Sequence, residues 1–202
     1  MRVIGLTAGI GCGASTVAKI LKQKGFEVIE ADKIARSIMK PNSLVWQKIV
    51  RVFGDGVLDN NFEIDRAKLG LIAFASKKSI ERLNKITHPS IIKEIGKRLK
   101  KLEEQKVGLV VLDAPLLVEA GLLDIVDFLV VVKADFETRV KRIVVRDFFS
   151  REEAVKRIDA QIPLEEKIGV ADFVIDNSGG IEETEKQVRE LVEKLKGAKR
   201  NE

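Results

Sequence analysis

The segment Gly5–Thr16, GLTAGIGCGAST, contains the residue types that hold phosphate. A complete phosphate loop reads G-x-x-x-x-G-K-[ST]. Its backbone N–H groups surround an anion at a helix N-terminus, the lysine reaches the outer phosphates and the hydroxyl meets Mg²⁺. Over Ala8–Ser15 the second glycine (Gly13) and the hydroxyl (Ser15) are present, while Ala8 and Ala14 occupy the places of the first glycine and the lysine. Gly9, Gly11 and Gly13 keep the backbone freedom that such a turn needs, so anion binding by amides survives. The missing ammonium is a charge-assisted donor whose loss from a dry transition-state site costs about 3 kcal/mol. Two sources of compensating charge are open: Lys19, one helical turn beyond Ser15, and the arginines Arg139, Arg142 and Arg146, which a closing cover would deliver to the phosphates.

The elements that must position this loop follow from the hydrophobic pattern. Val3–Leu6 is an apolar run that ends in the glycines, and STVAKILKQK continues with helical spacing until Gly25, giving strand, loop and helix. Further buried strands are expected at Phe26–Ala31, Val107–Ala114, Phe128–Val132 and Asp172–Asn177, with helices over 135–147, 150–161 and 181–196. Near-continuous apolar strands separated by helices predict an α/β, doubly wound, parallel five-stranded sheet covered on both faces. Residues 33–105 contain only helical patterns, punctuated by Pro41, Gly54, Gly56 and Pro89. The expected division is therefore a nucleotide-binding core (1–32, 106–135 and 163–202), a helical acceptor-binding insertion (33–105) and an arginine-rich helical lid (136–162).

Composition narrows the partners. The 202 residues carry a net charge of +5, which suits nucleic acid, an anionic surface or a small polyanion. With no Tyr and one Trp there is no stacking platform, so phosphorylated small molecules are expected and nucleic acid is not. Cys12 is the only cysteine, which excludes an internal disulfide and suits a reducing cytoplasm. The most apolar region, 107–132, is interrupted by Asp113, Glu119, Asp124 and Asp127, so no membrane span is expected.

Several further motifs stand in a fixed order with the loop: EADKIAR (30–36), FGDGVLDNNFEIDRAKL (53–69), ITHPSI (86–91), LDAPLLVEAG (112–121), RIVVRD followed by SREEAVKRIDAQ, and ADFVIDNSG (171–179). Together they resemble dephospho-CoA kinase, a P-loop kinase family, over essentially the whole chain; Ala8 and Ala14 depart from the glycine and lysine usual there. The resemblance implies transfer of the ATP γ-phosphoryl group to the ribose 3′-hydroxyl of dephospho-CoA, with Mg²⁺, completing coenzyme A in the cytoplasm as a monomer or weak oligomer. A ribose hydroxyl is a poor nucleophile at neutral pH and needs a carboxylate beside it. Asp32 matches the family's base, with a helix N-cap as its alternative role.

Carried over in the same way, Gly9, Gly11, Cys12, Gly13, Ala14, Ser15, Thr16, Arg142, Arg146 and Asn177 bind ATP, with Arg142 also catalytic and Gly179 near the adenine. Ser15 and Asp113 hold the metal. Asp32, Arg66, His88, Pro115, Leu116, Leu117 and Glu119 bind the acceptor, whereas Val45, Trp46 and Ile49 read as packing. Two other functions stay open at this level. One is a homologue that binds ATP and CoA without efficient turnover; the other is a kinase for a different nucleotide or nucleoside.

Overall fold

The computed structural model describes residues 1–73, 75–115 and 117–197. The elements run β1 (Arg2–Ala8), α1 (Ala14–Gln23), β2 (Glu27–Glu30), α2 (Ala31–Ile38), α3 (Leu44–Phe53), α4 (Arg66–Ala73), α5 (Lys77–Glu104), β3 (Leu109–Asp113), β4 (Phe128–Lys133), α6 (Phe136–Asp147), α7 (Arg151–Asp159), α8 (Leu164–Gly169), β5 (Phe173–Asp176) and α9 (Ile181–Gly197). They pack as two compact units: Met1–Ile29 with the described residues from Lys106 onward, and Glu30–Gln105.

In the first unit the strand order is β2-β3-β1-β4-β5. β1 runs parallel to β3 on one side and to β4 on the other, and β4 runs parallel to β5. Ile4, Leu6, Val110, Val111, Leu112, Val130, Val131 and Val132 are almost wholly buried, as strands covered on both faces must be. The expected five-stranded α/β sheet is thus the one formed. Because the chain leaves β1 toward β2 on one side and later crosses to β4 on the other, the carboxyl ends of β1, β3 and β4 flank a topological switch point, where open α/β sheets bind ligands. The phosphate-loop segment begins there, directly after Ala8.

The second unit is helical. Val45, Ile49, Val57 and Leu69 form its core, with Ile38, Phe53, Leu83 and Ile86 packed around them. Here one expectation fails: Pro89 does not divide the region into two helices, and α5 passes straight through it. Proline removes an N–H and crowds the preceding turn, at a cost of about 3 kcal/mol in a helix interior. The helix persists because it packs on α2, α3 and α4; Leu83 and Ile86 precede the proline and the buried Ile95 follows it. Asp32 also differs from its alternative reading. The N-cap of α2 is Glu30, so Asp32 lies inside the first turn and is not the cap.

Candidate active site

The loop between β1 and α1 is shaped by two glycines with left-handed backbones, Gly11 (φ 80°) and Gly13 (φ 89°). Each is needed for space as well as conformation. A Cβ on Gly11 would stand 2.7 Å from the Arg139 carbonyl oxygen, and one on Gly13 would collide with the Asn177 amide. Gly13 is the N-cap of α1, and its carbonyl accepts from the Thr16 N–H at 3.0 Å.

Surrounding residues engage the loop's carbonyls. Ile10 is gripped at both ends of its backbone: its N–H donates to Gln161 Oε1 at 2.7 Å and its carbonyl accepts from Arg139 Nε at 3.1 Å. Its side chain packs on Val140, Ile143, Ala154 and Ile158, the cluster between α6 and α7. The Cys12 carbonyl accepts from Asn177 Nδ2 at 2.8 Å, and Asn177 Oδ1 is held by the Thr184 hydroxyl at 2.8 Å. Arg142 donates to the carbonyls of Gly11, Cys12 and Asn177 at 3.4, 3.4 and 2.9 Å. The backbone N–H groups of Gly11, Gly13, Ala14 and Ser15, by contrast, have no acceptor among the described residues. Consecutive free amides at the positive end of a helix constitute an anion site.

A cleft of about 710 Å³ opens on this site. It brings together the expected Gly11, Gly13, Ser15, Thr16, Arg142, Arg146, Asn177 and Gly179. Gly9, Cys12 and Ala14 do not line it. Gly9 lies against the Arg139 guanidinium, and Cys12 is fully buried, with burial pushing its thiol pKa up. Lys141, Thr138 and Ile181 also line the cleft; only the helical register of α6 and α9 could have indicated them.

The possible substitutes for the absent ammonium separate clearly. Lys19 is exposed, with no hydrogen bond or ion pair among the described residues. Arg139 is buried as the brace on Ile10. Arg146 makes a two-point pair with Asp147 at 2.9 and 2.7 Å, which raises its own pKa and lowers that of the carboxyl group. Arg142 alone among these cations both lines the cleft and touches the loop.

On the other side of β1, Asp113 ends β3 in register with Leu6 and its Oδ1 is buried. The segment after it is tied to β1: the Thr7 hydroxyl donates to the Pro115 carbonyl at 2.9 Å. Leu117 is fully buried, and Leu116 lies outside the described residues. Glu119 forms a 2.6 Å ion pair with Lys167, a residue on α8 that sequence reasoning missed, along with α8 itself. A lysine between Glu166 and Ile168 in a polar stretch gives no sign that it will be buried.

Asp32, Arg66 and His88 belong to the second unit. Asp32 is exposed in the first turn of α2, Arg66 is exposed at the start of α4, and His88 is half-buried on α5, where desolvation lowers its pKa. Val45 and Ile49 are core residues of that unit, and the Trp46 indole donates to the Phe62 carbonyl at 2.9 Å within it.

A family model described as dephospho-CoA kinase matches residues 2–183. A dephospho-CoA kinase of Carboxydothermus hydrogenoformans is 47% identical over 96% of this chain and 94% of its own length. Among solved structures, a dephospho-CoA kinase from Campylobacter jejuni superposes with a TM-score of 0.62 at 32% identity, covering 96% of this chain and 97% of that one. A shikimate kinase from Acinetobacter baumannii, at 13% identity and a TM-score of 0.56 over 100% of this chain and 96% of its own, shares the fold. The chain belongs to the dephospho-CoA kinase family.

Proposed function

We propose that this chain transfers the γ-phosphoryl group of ATP to the ribose 3′-hydroxyl of dephospho-CoA, and that Arg142 replaces part of the charge missing at Ala14. The observation that carries the reading is the loop itself, whose carbonyls are engaged by Arg142 and Asn177 while the amides of Gly11, Gly13, Ala14 and Ser15 have no acceptor among the described residues. Phosphoryl transfer asks the protein for positioning and electrostatic stabilisation rather than covalent chemistry. The amides and Thr16 bind the phosphates, and Asn177 with Gly179 borders the nucleotide. Arg142, which borders the cleft and touches the loop, is assigned the stabilisation of charge developing on the transferred group.

Ser15 and Asp113 suit Mg²⁺. They present a hydroxyl and a carboxylate on two elements that pack together, α1 and β3, a pair that leaves the remaining positions to water and phosphate oxygens. When bound, the ion neutralises charge on the phosphoryl oxygens. Asp32 accepts the proton of the 3′-hydroxyl. Arg66, His88 and the segment Pro115–Glu119, including Leu116, hold the acceptor. Residues 136–162 form the cover over the nucleotide.

The test is ADP release by this sequence with and without dephospho-CoA, with the product identified by mass. ADP formation that depends on dephospho-CoA and yields coenzyme A supports the reading. Tight binding of both substrates without turnover would instead assign the chain to a binding role.

A further inference from the structure

Lys167 is a charged side chain that the phosphoryl-transfer chemistry does not use. It is 0% exposed, and a buried ammonium is retained only where partners offset its desolvation. Three oxygens supply that offset: Glu119 Oε1 at 2.6 Å, the Pro115 carbonyl at 3.1 Å and the Ala8 carbonyl at 3.2 Å. Two of them lie on the segment that follows β3, and the third ends β1. Being sealed from solvent, the ammonium cannot touch a ligand in this arrangement. It can only set where its partners stand.

We infer that Lys167 is a positioning residue for the acceptor: through Pro115 and Glu119 it holds the described residues of segment 115–119 against the end of β1. This rests on the reading of that segment as part of the acceptor site. Which substrate would register its loss follows from how each neighbour is otherwise held. The phosphate loop has independent anchors in Gln161, Arg139, Asn177 and Arg142, so one lost bond to Ala8 leaves it in place. Segment 115–119 has the Thr7 hydroxyl on Pro115 and the short turn bonds of Leu117, Gly121 and Leu122. Among the described residues, Glu119 has no other side-chain partner than Lys167. Removing the ammonium therefore releases the Glu119 carboxylate and loosens the acceptor side, while nucleotide binding continues.

The experiment compares the whole protein with Lys167→Met, Glu119→Gln and the double variant, measuring kcat and the KM of each substrate separately. Lys167→Met is expected to raise the KM for dephospho-CoA about tenfold while the KM for ATP stays within about twofold. Glu119→Gln should move the same constant in the same direction. The double variant should be no worse than the more damaging single one, because the two residues act as a unit. If Lys167→Met does not fold, Lys167→Gln, a shorter donor that cannot span all three oxygens, takes its place. Equal rises in both KM values, an unchanged acceptor KM or effects that simply multiply would overturn the inference.

Amide hydrogen exchange separates this from the functional reading. If the parent protein has no acceptor-dependent turnover, that reading alone fails. The inference is then decided by whether Lys167→Met speeds exchange at Leu117, Gly121 and Leu122 while leaving Gly9–Thr16 as before. Equal change in both regions, or in neither, rejects it.

Discussion

At the scale of single residues, the phosphate loop separates shape from charge. Its shape depends on Gly13, whose left-handed backbone and proximity to the Asn177 amide leave no room for a methyl group. Gly13→Ala should cost about 1–3 kcal/mol through backbone strain alone. It should also displace Asn177 from the Cys12 carbonyl, visible as a lower melting temperature together with weaker ATP binding in calorimetry. Its charge is a different matter, because Ala14 has no polar group and the loop amides bind an anion regardless. Ala14→Lys is therefore expected to raise kcat by about two orders of magnitude, with a smaller gain in ATP affinity, in steady-state assays at saturating dephospho-CoA. A fall in the KM for ATP with kcat unchanged would mean that the missing ammonium served binding and not the transition state. The left-handed turn positions Gly11 and Gly13 were legible in the spacing. The contrast among Arg139, Arg142 and Arg146 was not, since all three sit on one helix in similar surroundings and only packing buries the first, engages the second with the loop and pairs the third with Asp147.

At the scale of elements, strands were the easiest to read. β1, β3, β4 and β5 are continuous apolar runs because both of their faces are covered, and the expected boundaries lie within about two residues of the observed ones, the usual uncertainty of an element end. Helix α5 shows the limit of local rules. Pro89 is a strong local stop signal, yet the helix continues because packing against α2, α3 and α4 outweighs one lost backbone bond. Pro89→Ala, which restores an N–H for the preceding turn, should stabilise the protein by about 1–3 kcal/mol in denaturant unfolding. No gain, or a loss, would indicate that the helix is already adapted to the proline. Helix α8 was missed for the opposite reason. It spans six residues, too short for a period to emerge, and its key residue is a lysine that the sheet edge and Glu119 draw inward.

At the scale of the whole molecule, burial couples stability to pH. Desolvation lowers the pKa of His88 below its ordinary value of 6.5, so the unfolded chain takes up a proton more readily than the folded one. That contribution is complete above pH 6.5 and is lost as the pH falls through the lowered folded-state value. Unfolding measured on either side of pH 6.5 should show the parent protein weakening on the acid side, and His88→Gln weakening less. An identical acid-side slope in both proteins would remove His88 as the cause. By itself the sequence determined the fold class, the order of the strands and the position of the phosphate loop, because strand burial, helical period and the conformational needs of glycine are written locally. Only the tertiary structure decided which arginine both borders the cleft and touches the loop, how the loop carbonyls are engaged and where Lys167 goes. Those outcomes depend on side chains far apart in the chain, such as Ala8, Glu119 and Lys167, reaching one low-dielectric place where a charge persists only if every partner arrives.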